Sequence, residues 1–168
     1  MRVLLSTASK HGSTTEIGRA IADVLSEEGI DARHLPPDEV ADLDGYDAVV
    51  LGSAVYAGHW MKAMKELTDR LAPGLAGRPV WLFSSGPIGD PPKPEEDPVD
   101  VAPILEVTGA RAHFLFSGKL DKKTLNFGER AIVSAFKAPE GDFRDWDEIR
   151  DRARDIAAEL RSTMSPLT

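Results

Sequence analysis

Residues 2–16 have the sequence RVLLSTASKHGSTTE, and this stretch decides the fold. The run at 3–5 is short and wholly apolar, which predicts a strand over Arg2–Ser6 that is buried in a parallel sheet. A polar loop of small residues follows, and from Ile17 onward apolar residues recur at helical spacing. A buried strand, a loop of small residues and a helix are typical of the first unit of an α/β fold.

The rest of the chain repeats this alternation of strand and helix. The predicted strands are Arg2–Ser6, Asp31–Leu35, Asp47–Gly52, Val80–Phe83 and Arg111–Phe116. The predicted helices cover 17–25, ended by Gly29, a short stretch at Pro37–Leu43, then 61–71, Val99–Val107 and the chain from Asp145 onward, where Asp145 and Glu148 have capping-box spacing. Pro and acidic residues predict a loop from Pro87 to Pro98. Five strands that alternate with at least four helices predict one parallel sheet covered on both faces. No repeat or linker divides the chain, so residues 1–168 are predicted to form a single domain.

Composition excludes several classes of protein. The chain has no cysteine, which rules out disulfides, thiolate-bound zinc, iron–sulfur clusters and cysteine nucleophiles, so redox chemistry would need a bound cofactor. Its net charge of −8 argues against a nucleic-acid partner and fits a solvated surface or a basic redox partner. No stretch approaches the ~20 apolar residues of a membrane span, and the N-terminal apolar run is too short for a signal peptide. We therefore expect a cytoplasmic protein with no transmembrane segment, and we identify no metal site.

The loop from Ser6 to Thr14 is dense in small polar residues, because six of its nine positions are Ser, Thr or Gly. It leads into a helix N-terminus, whose free N–H groups and dipole favour an anion, and this predicts a phosphate site. The alternative is a plain helix start with Ser13 and Glu16 as a capping box, which leaves the upstream hydroxyls unexplained. No Lys follows Gly12, which excludes a Walker A loop, and a single Gly excludes the dinucleotide fingerprint.

The segment Ser9–Thr14, SKHGST, resembles the flavodoxin phosphate loop, Ser/Thr-x-Thr-Gly-Asn/Ser-Thr, with His11 where Thr is usual. A second segment, Gly52–Gly58, resembles the Gly-Ser-x-x-Tyr-x-Gly loop that flanks the isoalloxazine ring in that family. The first segment looks most like the phosphate loop of the small flavodoxin-domain proteins that include the menaquinone-dependent protoporphyrinogen IX dehydrogenases. The resemblance implies FMN as cofactor and a three-layer α/β sandwich with a five-stranded parallel sheet of order 2-1-3-4-5.

The resemblance also implies which residues bind FMN. The phosphate would be surrounded by Ser9, Lys10, His11, Gly12, Ser13 and Thr14, with Lys10 and His11 acting mainly through backbone N–H groups. The flavin would be flanked after the third strand by Ser53, Ala54, Val55, Tyr56, Ala57, Gly58 and Trp60, and after the fourth by Ser84, Ser85, Gly86 and Gly89. Gly58 is expected to take a positive φ or to allow close approach of the backbone.

Two of these assignments have alternatives. Tyr56 and Trp60 offer flat faces for stacking on the flavin, but Trp60 could instead be the first core residue of the next helix. His59 is either an ordinary surface residue or a catalytic group on the substrate side. The loop Ser84–Asp90 has no aromatic residue, unlike that of many electron-carrier flavodoxins, so one face of the flavin is expected to be open to a substrate or covered by aliphatic atoms.

An insertion at 117–144 separates the last strand from the last helix and is long for a compact α/β unit. It carries several basic residues in an acidic protein, and Phe127, Ile132 and Phe136 have near-helical spacing. One interpretation is a substrate-binding or peripheral membrane-surface element. The other is a helix that simply packs on the domain.

Three functions follow from these features. The first is an FMN-dependent oxidoreductase with a small-molecule or quinone substrate, similar to protoporphyrinogen dehydrogenase, in which the cofactor carries the redox chemistry. No protein acid–base pair is evident in the sequence. The second is a flavodoxin-type electron carrier that serves a redox partner protein. The third is a scaffold that keeps the fold without the flavin.

Overall fold

A parallel five-stranded sheet lies at the centre of the structure, a computed structural model that describes residues 1–87, 94, 96–135 and 137–164. The strands are β1 (Arg2–Ala8), β2 (Asp31–Leu35), β3 (Ala48–Tyr56), β4 (His59–Trp60), β5 (Val80–Ser85), β6 (Ala112–Phe116), β7 (Lys119–Leu120) and β8 (Gly141–Asp142). The helices are α1 (Ser13–Glu27), α2 (Lys62–Ala76), α3 (Val101–Thr108), α4 (Phe127–Ala135) and α5 (Trp146–Met164).

The order of the parallel strands is β2-β1-β3-β5-β6. This is the predicted 2-1-3-4-5 order, because β4 is a two-residue strand that pairs antiparallel with the end of β3. In the centre of the sheet, Leu5 lies beside Val50 and Leu51 lies beside Leu82. The carboxyl ends of β1, β3 and β5 therefore meet at one edge, where an open α/β sheet binds its ligands.

Two apolar cores cover the two faces of the sheet. Successive side chains of β1 point to opposite faces, so Val3 and Leu5 join the core with α1 and α5, whereas Leu4 joins the core with α2 and α3. The central strands β1, β3 and β5 are buried on both faces, which explains why they contain continuous apolar runs without alternation. The resulting three layers confirm the predicted α/β sandwich.

Some boundaries differ from the sequence prediction, and one agrees with it. The helix expected over Pro37–Leu43 is only a 3-10 turn at Pro37–Glu39. After it, the carbonyls of Val40 and Ala41 accept hydrogen bonds of 2.6 and 2.8 Å from the Arg70 guanidinium, which replace helical bonds. Strand β3 continues four residues beyond the predicted end at Gly52, because β4 pairs with its last two residues. Helix α5 begins at the predicted cap, since the Glu148 N–H donates to Asp145 Oδ1 over 3.0 Å.

The insertion at 117–144 is folded. Strands β7 and β8 pair antiparallel across it, and α4 lies between them in sequence. Within the described ranges 1–87, 94, 96–135 and 137–164, no helix is both long and apolar enough to cross a membrane. The predicted site residue Gly89 and the insertion residue Phe136 fall outside those ranges.

Candidate functional site

The loop after β1 ends in a helix N-terminus that no side chain caps. Gly12 is the N-cap of α1, with φ of +90°, and its own N–H donates to Ser9 Oγ over 3.0 Å. Its carbonyl accepts the first helical bond, from the Glu16 N–H. Ser13 is the first helical residue and not the cap, so the capping-box alternative for Ser13 and Glu16 is wrong. The first N–H groups of a 15-residue helix thus remain available to an anion.

Thr14 supports an anion site at this helix start. Its side chain is fully buried, yet its Oγ1 has no hydrogen-bond partner among the residues that the structure describes. A buried hydroxyl without a partner costs about 1–3 kcal/mol, and an acceptor such as a phosphate oxygen would remove that cost. Ser6 Oγ, in β1, is buried and unpartnered in the same way. The donors present therefore fit the phosphate of FMN.

A cleft of about 160 Å³, here called the first cleft, opens beside this helix start. Its wall contains seven residues of the predicted site: His11, Ser13, Ala54, Val55, Tyr56, Ser85 and Gly86. The loops after β1, β3 and β5 therefore meet around one space, as the predicted strand order required. Its wall also contains Glu16 and six residues of the insertion: Gly118, Lys119, Leu120, Asp121, Thr124 and Leu125. Sequence reasoning noted the insertion but did not place it over this site.

The hairpin of β3 and β4 forms one rim of the site. Ala57 and Gly58 take φ of +49° and +79°, the two-residue turn typical of a tight hairpin, which confirms the expected positive φ at Gly58. Tyr56 lies at the end of β3 and is 40% exposed. Partial burial and the nearby Glu129 charge raise the pKa of Tyr56 to about 12, so its phenol stays neutral at physiological pH.

A second cleft, of about 440 Å³, shares Val55 and Gly86 with the first. Its wall includes Ala57, Gly58 and several residues on the side of β6 and α3: Pro87, Pro94, Glu96, Asp97, Pro98, Val99 and Leu115. His59 lies on the exposed hairpin next to this cleft, with its Nδ1 3.1 Å from Asp100 Oδ2. Asp100 also accepts the Trp60 backbone N–H, so it fixes the hairpin as well as the imidazole.

Trp60 is a core residue and not a wall of either cleft. Its side chain is 2% exposed within the α2–α3 core, and its Nε1–H donates to Ser84 Oγ over 2.7 Å. The structure therefore agrees with the alternative of a core residue for Trp60, and the side chain of Ser84 is also fully buried. Both point into the sheet layer because the side chains of a strand alternate between its faces.

Ser84 also contacts a histidine, which raises the question of a hydrolytic triad. Its Oγ lies 2.7 Å from His113 Nε2, and His113 Nδ1 lies 3.5 Å from Asp97 Oδ1. The arrangement is not nucleophilic, because Ser84 is inaccessible and its Oγ already accepts the Trp60 indole N–H. Burial lowers the pKa of His113, in keeping with a neutral structural imidazole.

The side chain of Ser53 is likewise bonded within the fold. It is fully buried, and its hydroxyl donates to the Ala54 carbonyl over 2.8 Å and accepts the Met61 N–H over 2.9 Å. Met61 immediately precedes α2, so Ser53 fixes where that helix leaves the sheet. Its hydrogen-bonding capacity serves the fold and is not available to a cofactor.

Ser85 and Gly86 do reach the site, and a close contact between loops holds them there. The Gly86 N–H donates to the Phe116 carbonyl over 3.3 Å, and the Gly118 N–H donates to the Pro87 carbonyl over 2.7 Å. A Cβ on Gly118 would lie 3.3–3.4 Å from the Gly86 backbone, tighter than ordinary contact. The loop after β5 and the start of the insertion are therefore joined directly through backbone.

Two charged residues of the insertion hold it against the phosphate loop. Glu129 of α4 accepts from Lys10 Nζ at 3.1 Å and lies 3.0 Å from His11 Nε2. Hydrogen bonding from His11 is the largest cause that lowers the pKa of Glu129, to about 2. Arg144 donates to the Ser13 carbonyl over 3.1 Å and pairs with Glu16 and Asp142. The spacing of Asn126 and Glu129 in the sequence could have marked a helix cap. No local signal connects Glu129 or Arg144 to a loop more than a hundred residues away.

The arrangement suits a phosphorylated planar ligand. The free N–H groups of the helix start lie beside the first cleft, Ala54 and Val55 contribute aliphatic side chains to its wall, and Tyr56 forms a rim. A second space adjoins it at Val55 and Gly86.

Comparison with known proteins agrees with this geometry. A family model described as "Flavodoxin domain" matches residues 4–147. The protein named protoporphyrinogen IX dehydrogenase [quinone] from Escherichia coli strain K12 is 28% identical over 174 residues, which cover 94% of this chain and 95% of that protein.

Solved structures show the same fold. A flavodoxin from the domain Archaea superposes with a TM-score of 0.68 at 17% identity, over 96% of this chain and 99% of that one. A flavodoxin of Streptococcus pneumoniae TIGR4 superposes with a TM-score of 0.62 at 18% identity, over 98% of this chain and all of that one.

Proposed function

The chain belongs to the flavodoxin domain family and binds FMN, and on this premise we propose that it is an oxidoreductase which takes electrons from a reduced porphyrinogen-like substrate and delivers them to a quinone. The observation that carries the proposal is the pair of adjoining clefts that share Val55 and Gly86. A carrier needs room for its cofactor alone, whereas an enzyme with its own substrate needs a second space beside it. We also propose that residues 1–168 form a single domain and that the protein is cytoplasmic.

The chain's own residues have three tasks in this proposal. The helix start at Gly12, with the hydroxyls of Ser9 and Thr14, binds the phosphate, where N–H groups and dipole favour negative charge. Val55 and Tyr56, in the wall of the first cleft, would border the flavin ring and shield one side of it from water. Bound FMN supplies the electron acceptor and donor, and the protein orients it.

The similarity to the Escherichia coli dehydrogenase supports the substrate class. It extends over 94% of this chain and so includes the insertion that covers the first cleft. At 28% identity it does not by itself assign a substrate to this chain, since a fold hosts many functions. We take the insertion as part of the FMN side of the site, because it supplies six residues to the wall of the first cleft.

An electron carrier is the second candidate, and the net charge of −8 favours it, because an acidic surface suits docking to a basic redox protein. The carrier would use the same FMN site without a substrate in the second cleft. The two candidates predict different reactants, so turnover distinguishes them.

The test begins with FMN reconstitution followed by gel filtration. Retained absorbance bands near roughly 370 and 450 nm, which any oxidised flavin shows, are expected. The loaded protein is then given protoporphyrinogen and a menaquinone analogue without oxygen, and porphyrin fluorescence is followed. Formation of porphyrin above a control with the same concentration of free FMN supports the enzyme. Absence of turnover, together with electron delivery to a basic haem protein, supports the carrier and contradicts the proposal.

A further inference from the structure

Glu129 lies against the two basic side chains of the phosphate loop. Within Ser9–Thr14 the basic residues are Lys10 and His11, and the two oxygens of Glu129 contact one each, at 3.1 and 3.0 Å. The Glu129 side chain is 18% exposed, so solvent screens these contacts less than it does surface pairs. A single carboxylate thereby contacts both basic side chains that the loop could present to a phosphate.

The start of α4 fixes the position of this carboxylate. The Glu129 N–H donates to Asn126 Oδ1 over 2.8 Å, and the Asn126 N–H donates to Glu129 Oε1 over 3.2 Å, which is a reciprocal capping box. No described residue of α4 is buried, and Phe127 is 91% exposed. The helix therefore gains little from apolar packing, and the Glu129 ion pairs fasten it to the loop.

The carboxylate has an electrostatic consequence for the site below it. Glu129 is ionised at neutral pH because its two basic partners favour the charged form. A phosphate in the loop would meet a nearby negative charge, a lysine that is already paired and an imidazole that is already hydrogen-bonded. Its remaining attractions are the helix N–H groups, the dipole and neutral hydroxyls.

We propose that Glu129 is the residue that sets how strongly the phosphate group contributes to FMN affinity, by holding Lys10 in an ion pair and the His11 imidazole in a hydrogen bond with α4. The protein thus binds FMN less tightly than the same loop would without this carboxylate. Linkage is reciprocal, so a bound phosphate weakens the contact that fastens α4 by the same factor. The inference rests on FMN binding and does not require turnover.

The experiment compares FMN with riboflavin, which lacks the phosphate, in wild-type protein and in a Glu129→Gln variant. Glutamine also serves in a capping box, so the substitution removes the charge and keeps the helix start. Dissociation constants come from quenching of flavin fluorescence at constant ionic strength. Glu66→Gln is the matched control, since that carboxylate lies on the exposed face of α2 in an i,i+4 pair with Lys62.

We expect Glu129→Gln to tighten FMN binding by about threefold to tenfold, the range for loss of one partly exposed charge interaction. Riboflavin affinity is expected to stay within about twofold, and Glu66→Gln to change neither ligand. An unchanged ratio of the two dissociation constants would overturn the proposal. Equal weakening of both ligands would also overturn it, because it would make Glu129 a purely structural support.

Hydrogen exchange of the α4 amides provides a second readout that does not depend on the variant folding well. FMN is expected to speed exchange across Phe127–Ala135 in the wild type, and riboflavin is expected to leave it unchanged. Slower exchange with FMN would mean that the phosphate and α4 cooperate, which contradicts the proposal. A protein that binds FMN but oxidises no porphyrinogen contradicts the proposed function alone, because both of these measurements would still apply.

Discussion

Arg144 reaches from the end of the insertion to the first turn of α1, where its guanidinium donates to the Ser13 carbonyl over 3.1 Å. The side chain is 3% exposed and forms two further bonds to Asp142, while its guanidinium lies 4.6 Å from the Trp146 ring. One residue thus joins the insertion, the phosphate loop helix and the last helix. The insertion belongs to the fold around the site and is not a separate appendage.

Replacing Arg144 should therefore destabilise the protein. We expect Arg144→Ala to lower the free energy of unfolding by about 2 kcal/mol, because it removes several charge-assisted bonds and a cation–π contact. Arg144→Lys should restore little, since an ammonium cannot reproduce the planar fork. Urea denaturation measures the effect. Arg154→Ala, at a 53% exposed i,i+3 pair, is the control, with an expected loss below about 0.5 kcal/mol. Equal losses for both variants would show that Arg144 does not act as described.

Trp60 provides a test of which aromatic residue borders the flavin. Trp60→Phe keeps an aromatic ring in the core but removes the N–H that Ser84 accepts, so we expect a loss of about 1–2 kcal/mol in unfolding free energy. FMN affinity should stay within about twofold, because the side chain is buried away from both clefts. Fluorescence titration and urea denaturation measure the two quantities. A large loss of FMN affinity with unchanged stability would return Trp60 to the flavin site.

Replacement of Thr14 should weaken FMN binding without lowering the stability of the ligand-free protein. Thr14→Val removes a buried hydroxyl that lacks a partner, so the ligand-free protein should be equally stable or more stable, by up to about 1 kcal/mol. FMN binding should weaken by about tenfold, the usual value of a hydrogen bond to a charged group, and riboflavin binding should not change.

The matched control for Thr14 is Thr108→Val, at another buried helical threonine. Thr108 Oγ1 donates to the Ile104 carbonyl over 2.7 Å and accepts the Ala110 N–H, so its removal should destabilise the protein by about 1–2 kcal/mol. Thermal unfolding without ligand compares the two variants. If Thr14→Val is as destabilised as Thr108→Val, then the Thr14 hydroxyl has a partner in the protein and is not reserved for the phosphate.

The contacts of Glu129 should make the free energy of unfolding depend on pH between about 2 and 4.5. Its pKa falls from the ordinary 4.5 to about 2 in the folded protein, so the unfolded chain binds this proton first as the pH falls. The contribution of the carboxylate is fully present above about 4.5 and is lost progressively as the pH falls through 2. The difference in unfolding free energy between wild type and Glu129→Gln should therefore shrink across that window. Urea denaturation at several pH values measures it, and a constant difference would contradict the assigned ion pairs.

The sequence by itself determined the fold and the location of the phosphate loop. Buried parallel strands have no polar face, so the short apolar runs 3–5 and 48–51 were visible without any partner, and the strand order followed from the resemblance. The small residues before α1 marked an anion site because the cause, a helix start with free N–H groups, is local to the sequence.

Only the tertiary structure decided which polar and aromatic side chains of the later loops remain available to contact a cofactor. Ser53, Trp60 and Ser84 were all expected to flank the flavin, yet the side chain of each is buried and bonded within the fold. Pairing of β4 with β3 places Trp60 where its indole N–H donates to Ser84 in β5. Glu129 could not be found from the loop it contacts, since 118 residues separate it from His11. Contacts of this kind depend on how distant segments pack, and a single sequence contains no local pattern that specifies them.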